Sequence, residues 1–322
     1  MIPFENIRQI AIIGAGTMGS GMGLCFSQAG YRVTLHDVDA AQLDRALARI
    51  ANSLEVFVEE GLIQEEEEAQ AALERIAVTT DLEAALTGTD YVLEAAPESL
   101  KLKKDLFRTI ETFVSAGIVL ATNTSGLSIT EIAAACEHPG RVAGMHWVNP
   151  PEIVPLVEVV RGRETTDETV TIIYEMAEKL GKVPVVVRKD IPGLAMNRLQ
   201  FAVFREALHL VETGVVSPRD VDRVLKNGVG FRYPWLGPLE TADLGGLDVF
   251  HSVAQYLLPA LSNMTSTPEF FDRLVEEGKL GIKTREGFYD YETGSREEIL
   301  RQRDLYFIRQ LKLLREMQDQ SG

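Results

Sequence analysis

Apolar positions in the first half of the chain fall into short runs separated by longer amphipathic stretches. The runs at residues 10–13, 31–35, 91–93, 118–121, 142–146, 156–160 and 183–187 have the length and composition of strands, and most alternate with helix-like segments. That alternation predicts an α/β fold with a doubly wound, mostly parallel sheet. One connection breaks the rule. Only eleven residues, Asn149-Pro150-Pro151 among them, separate His146 from Glu158, too few for a helical crossover. The two runs are therefore expected to be antiparallel neighbours, and pairing symmetric about Glu152 sets His146 opposite Glu158. Residues 40–76 read as two amphipathic helices broken near Gly61, a longer excursion than a minimal strand-helix-strand unit needs and a surface against which something could bind. No internal repeat of fixed period is visible.

Beyond Asp190-Ile191-Pro192-Gly193 the pattern becomes all-helical, with a helix over 197–212 ended by Gly214 and a new start at Ser217-Pro218. A boundary near Lys189 follows, dividing the chain into a sheet domain, residues 1–189, and an all-helical C-terminal domain, residues 190–322. In the tail, Ser295 and Glu298 have capping-box spacing, and Leu300, Phe307, Leu311 and Leu314 share a helical face. That face needs a partner: core packing or a dimer contact is the ordinary reading, a lid over a site the other.

Composition narrows the class. The 322 residues are 45% hydrophobic, enough for a core in each domain, and carry a net charge of −16. Nucleic acid and anionic membrane are excluded as partners, since both call for a basic surface. No apolar run approaches the roughly 20 residues of a membrane span, and no signal-peptide pattern is visible. Cys25 and Cys136 have no metal-ligand spacing, so no metal is expected, and two isolated cysteines suit a reducing compartment, the cytoplasm by default.

The first apolar run leads directly into Gly14-Ala15-Gly16-Thr17-Met18-Gly19, a G-x-G-x-x-G turn between a strand and a helix. Gly14 permits the tight turn, Gly16 lets backbone approach a pyrophosphate, and Gly19 lets the helix pack closely, leaving helix N-terminal N–H groups facing the anion. Asp37, 23 residues past Gly14, stands where a carboxylate accepts hydrogen bonds from the adenosine ribose and repels a 2′-phosphate. The combination predicts a Rossmann-type domain holding NAD. A glycine-rich turn in an ordinary α/β domain is the alternative.

Oxidising an alcohol with NAD requires a base of near-neutral pKa. Of the five histidines, His36 abuts Asp37, His138 precedes a proline, and His209 and His251 lie in helical stretches; all read as structural or solvated. His146 ends an apolar run, where open α/β sheets bind their ligands. A carboxylate at Glu158 would fix its tautomer and stabilise its imidazolium. A core histidine beside a solvated strand glutamate stays open as the other reading.

Several ordered segments resemble the L-3-hydroxyacyl-CoA dehydrogenase family. Besides the glycine motif they are Asn123-Thr124-Ser125-Gly126-Leu127-Ser128-Ile129-Thr130, Gly144-Met145-His146-Trp147-Val148-Asn149-Pro150, Leu156-Val157-Glu158-Val159, Asp190-Ile191-Pro192-Gly193 with Asn197-Arg198, and Gly281-Ile282-Lys283-Thr284-Arg285-Glu286-Gly287-Phe288-Tyr289. The resemblance implies that His146 is the general acid/base and Glu158 its partner, that Ser125 and Asn197 hydrogen-bond around the reacting oxygen, and that Glu98, Lys103 and Asn123 lie along the cofactor. It also implies a homodimer built on the helical domain. From the residues alone, Ser125 and Asn197 read as helix caps, Asn123 as a loop residue, and Glu98 and Lys103 as solvated charges.

The chain departs from the CoA-using members at one place. Where they carry Lys-Gly-Lys between the excursion helices, it has Glu59-Glu60-Gly61-Leu62 followed by glutamates 65–68, a reversal of charge that disfavours a polyanionic CoA thioester. Gly126 stands where those enzymes commonly have serine. His146-Trp147-Val148-Asn149-Pro150-Pro151, Asn197-Arg198-Leu199-Gln200, Val216-Ser217-Pro218 and Gly237-Pro238-Leu239-Glu240 are similar to the lambda-crystallin/L-gulonate dehydrogenase branch, and the extra C-terminal helix resembles that branch, L-carnitine dehydrogenase and the pyridine-carboxylate dehydrogenase. These features imply an oxidoreductase for a small non-CoA hydroxy acid. Gly287-Phe288-Tyr289-Asp290-Tyr291 keeps an acyl-CoA substrate as the alternative, a crystallin-like protein without catalysis is a remote one, and the lysine-dependent β-hydroxyacid dehydrogenases lack the pairing of His146 with Glu158.

Overall fold

Eight strands form one sheet in the computed structural model, which describes residues 1–319. They are β1 (Gln9–Ile13), β2 (Arg32–His36), β3 (Ile76–Thr79), β4 (Tyr91–Glu94), β5 (Val119–Thr122), β6 (Val142–Trp147), β7 (Leu156–Val160) and β8 (Val183–Val187), in the order β3-β2-β1-β4-β5-β6-β7-β8. Every neighbouring pair is parallel except β6 with β7, which is antiparallel in the register His146↔Glu158. The short connection and its symmetry thus do what the spacing predicts.

Alternate residues of β1 serve opposite faces of the sheet. Ile10 and Ile12 join a core with Phe26, Ile50, Leu54, Ile173 and Met176, while Ala11 and Ile13 join one with Phe107, Ile110, Leu120 and Ile132. Strands β4, β5 and β6 are buried along their whole length, as central strands covered on both faces must be. The strand β3 begins at Ile76, where the apolar pattern predicts the end of the second excursion helix. The helices are in fact Ala40–Glu59 and Glu66–Glu74, and Ile76 opens an edge strand whose two middle residues are exposed, so its four residues lack the apolar signature of the others.

The chain forms two compact units, Met1–Ala195 together with the described chain from Asp304 onward, and Met196–Arg303. The boundary falls six residues later than the expected Lys189, and the tail returns to the first unit instead of staying with the helical one. Its helix, Arg296–Asp319, starts at the expected reciprocal cap: Ser295 N–H donates to Glu298 and Glu298 N–H to the Ser295 hydroxyl, at 2.7 and 3.1 Å. Ile308 and Leu311, three residues apart, enter the core of the first unit, and Lys312 Nζ donates to the Glu60 carbonyl at 2.7 Å. Of the expected apolar face only Leu311 is buried, and Phe307 stays 38% exposed. Packing within the chain is therefore the tail's observed role.

The second unit contains the helices Met196–Glu212, Pro218–Val224, Pro238–Gly245, Leu247–Leu257 and Glu269–Glu276, with no named strand among its described residues. Leu208 is its only buried hydrophobic side chain, whereas Phe231, Leu239, Leu244 and Tyr256 are at least two-thirds exposed (76%, 81%, 75% and 68%).

Candidate active site

The turn after β1 has the geometry its glycines call for. Gly14 has φ +107°, its N–H donates to the His36 carbonyl at 2.8 Å, and a β-carbon there would lie 2.6 Å from the Ala95 carbonyl oxygen. A β-carbon at Gly19 would lie 1.8 Å from the Gly14 oxygen, so only glycine lets the helix Thr17–Gln28 approach the turn this closely. At Gly16 a β-carbon would meet nothing within 4 Å, and Gly16 is the N-cap of a helix that no side chain caps. Exposed Thr17 and half-buried Met18 follow it at the helix start. An uncapped helix N-terminus bordered by bare backbone fits a pyrophosphate. Asp37, just past β2, accepts from the Ala15 and Asp39 N–H groups at 2.9 and 3.2 Å, which ties its carboxylate to the same turn.

At the C-terminal ends of β4 and β5 a polar cluster is built around Glu94, which the sequence reading passed over. This fully buried carboxylate accepts from Lys103 Nζ at 2.6 Å, the Thr122 hydroxyl at 2.5 Å and the Ala96 N–H at 2.7 Å. Its only signal in the sequence is an acid at the end of an apolar run. Lys103 is 1% exposed; besides Glu94 its ammonium bonds the Ala96 carbonyl at 3.1 Å and lies 3.6 Å from Glu98. Glu98 in turn accepts from the Thr124 hydroxyl and from the Ser125 and Gly126 N–H groups, at 2.6, 2.9 and 3.2 Å. Neither is a loosely solvated charge. Lys103 is a buried ion-pair member, and Glu98 holds the backbone of the loop that carries Ser125. Ser125 is no helix cap either, because Ser128 caps the following helix Ile129–Ala133. The Asn123 side chain accepts the Trp147 N–H at 2.8 Å, joining the loop after β5 to the end of β6.

His146 and Glu158 face one another across β6 and β7, buried to 4% and 1% exposure, with Nδ1 2.8 Å from Oε2. The other carboxylate oxygen accepts the Ala195 N–H at 2.9 Å. A carboxylate at Nδ1 puts the ring proton on that nitrogen and leaves Nε2 as the acceptor, the tautomer a general base requires. Both partners stand on rigid strands, so the pair is positioned by sheet register. Asn197 belongs to the second unit, as the second residue of the helix Met196–Glu212. Among the other histidines, His36 is buried with Nδ1 unpaired, and burial pushes its pKa down.

Among the described residues no group of His, Cys, Asp and Glu side chains could hold a metal ion, and no helix is long and apolar enough to cross a membrane.

Residues 9–191 match the family profile of the 3-hydroxyacyl-CoA dehydrogenase NAD binding domain, and residues 193–291 that of the 3-hydroxyacyl-CoA dehydrogenase C-terminal domain. The 5-formyl-3-hydroxy-2-methylpyridine 4-carboxylate 5-dehydrogenase of Mesorhizobium japonicum is 37% identical over 88% of this chain and 91% of its own length. A probable 3-hydroxybutyryl-CoA dehydrogenase of Bacillus subtilis is 38% identical over 89% and 98%. The crystal structure of a 5-formyl-3-hydroxy-2-methylpyridine 4-carboxylic acid 5-dehydrogenase, described as an NAD+-dependent dismutase, superposes with a TM-score of 0.90 at 35% identity, covering 96% of this chain and 99% of that one.

Proposed function

This chain belongs to the 3-hydroxyacyl-CoA dehydrogenase family of NAD-dependent oxidoreductases, and from that premise we propose that it oxidises a small, non-CoA hydroxy acid with His146 as the general base. The observation that carries the proposal is the 2.8 Å contact of Nδ1 with a buried carboxylate. NAD, when bound, supplies the hydride acceptor. With Nδ1–H held by Glu158, His146 Nε2 takes the hydroxyl proton, and the carboxylate stabilises the imidazolium that results. Ser125 and Asn197 are assigned to hydrogen bonds with the reacting oxygen, as the family resemblance implies. The uncapped helix start at Thr17 and Met18 is assigned to the pyrophosphate, Asp37 to the ribose hydroxyls, where it disfavours NADP, and Glu98, Lys103 and Asn123 to positions along the cofactor.

The substrate reading rests on charge. Glu59 and Glu60 end the first excursion helix and Glu66, Glu67 and Glu68 begin the second, so the surface where a CoA phosphate needs cations is acidic. The similarity to an enzyme named for a pyridine 4-carboxylate agrees with it, whereas the comparable similarity to a probable 3-hydroxybutyryl-CoA dehydrogenase supports the acyl-CoA alternative. NAD reduction measured on free hydroxy acids, aromatic hydroxymethyl acids among them, and on 3-hydroxybutyryl-CoA separates the two. We expect the acids to be preferred in kcat/KM; preference for the thioester would reject the substrate assignment.

Two further assignments accompany this one. The exposed apolar side chains of the second unit form the kind of surface that marks an interface, so the chain is taken to be a homodimer, and a sedimentation mass of one 35.6 kDa chain would count against it. The free cysteines Cys25 and Cys136 support a reducing compartment, the cytoplasm; export of the native protein to an oxidising one would argue otherwise.

A further inference from the structure

The link between the two strands of the proton-transfer pair is held by a buried cation that the proton transfer does not itself use. β6 ends at Trp147 and β7 begins at Leu156, so residues 148–155 join the strand of His146 to the strand of Glu158. Within this link the Pro150 carbonyl accepts from the Ile153 and Val154 N–H groups, and the Pro155 carbonyl from that of Val183. The Pro151 and Val154 carbonyls have no backbone donor among the described residues. Lys182, the residue before β8, serves both: its Nζ donates to Pro151 at 2.6 Å and to Val154 at 3.1 Å. The other donor to this pair of oxygens is the Cys25 thiol, 3.7 Å from that of Pro151. Lys182 is 9% exposed, and its ammonium lies 5.2 Å from the centre of the Trp147 ring. Its direct partners are thus carbonyl oxygens and an aromatic face, which offset the cost of burying the charge; Glu152, a carboxylate whose charge it feels, is not bonded to it.

The same turn rests on the helix that starts at the dinucleotide motif. A β-carbon at Gly21, in the helix Thr17–Gln28, would lie 2.3 Å from a Glu152 carboxylate oxygen and 2.7 Å from Pro151 Cγ, so only glycine admits the turn this closely. The Ser53 hydroxyl donates to the other Glu152 oxygen at 3.4 Å. Residues 151–154 are therefore tied both to the cofactor helix and to the start of β8, which pairs with β7 in the register Glu158↔Val185. Trp147, whose ring meets the ammonium, follows His146 directly and donates its N–H to Asn123.

We propose that Lys182 is a positioning residue for the proton-transfer pair, acting through the turn that joins the strands of His146 and Glu158. Without its ammonium two carbonyls of that turn lose their donor, and the turn must re-form to satisfy them. A displacement of about 1 Å at a reacting group costs about 10²-fold in rate, so a modest movement of the link is enough to be read in turnover.

The test uses the full chain and the best substrate of the panel, of either class. Lys182→Met keeps the length of the side chain and removes its donors; kcat should fall about 10- to 100-fold with NAD Kd unchanged. The double variant with Glu158→Gln separates positioning from a general loosening of the fold. An effect exerted through the pair is already lost once the carboxylate is gone, so the double variant should turn over within about three-fold of Glu158→Gln alone. Losses that multiply overturn the proposal, as do a kcat within about three-fold of wild type for Lys182→Met and an NAD Kd that rises in step with the loss of kcat. If Lys182→Met does not fold, Lys182→Gln, which retains a donor, enters the same cycle under the same criteria. The proposal rests on His146 as the general base: a wild-type kcat for His146→Gln rejects that assignment and this inference together, whereas a slow His146→Gln beside an indifferent Lys182 rejects the inference alone.

Discussion

A histidine serves as a base only if its proton is held on the nitrogen away from the substrate, and here one glutamate does the holding. Glu158→Gln keeps the shape of that contact but removes the charge that stabilises the imidazolium. We expect kcat to fall about 10²-fold or more, with little change in NAD Kd, in steady-state assays and fluorescence titration; a kcat within three-fold of wild type would mean the carboxylate only packs. The pair was legible in the sequence because pairing of the two runs symmetric about Glu152 sets residues 146 and 158 opposite each other, and that is the register the strands take. Glu94 was not legible. Its partners Lys103 and Thr122 arrive from a helix and a neighbouring strand, and nothing in a run of three apolar residues and an acid foretells a fully buried carboxylate. The same holds for Glu98, whose acceptor role toward the Ser125 loop depends on where β4 and β5 end relative to one another.

Elements whose apolar positions were periodic and buried on both faces were read correctly, and the misreadings lie where burial is one-sided. β3 is a short edge strand with exposed middle residues, so tertiary pairing with β2 makes it a strand, not its own pattern. The tail helix shows the complementary failure. Its cap and helical period were plain, but periodicity says that a face needs cover without saying which surface provides it. Ile308 and Leu311 give that answer by entering the core of the sheet unit. Ile308→Ala should therefore destabilise the protein by about 2–5 kcal/mol in chemical denaturation, whereas Leu313→Ala, at a site 51% exposed, should cost less than about 0.5 kcal/mol. Equal effects would show that the tail is not part of the core.

At the scale of the whole molecule, charge and apolar surface divide the work. Acidic residues rim the excursion helices, and the second unit leaves large apolar side chains exposed. Composition signalled the acidity but could not place it, and the arrangement of helices in the second unit was beyond any local pattern. The mostly parallel sheet and its one antiparallel pair, by contrast, follow from alternation and from the one connection too short to cross over. The claim on which the rest depends is that His146 moves the proton as hydride is transferred. Turnover of the preferred hydroxy acid by His146→Gln, with NAD Kd measured on the same preparation, tests it most directly. The expected result is a kcat lower by about 10²- to 10⁴-fold at unchanged NAD affinity; a kcat close to that of the wild type would contradict it.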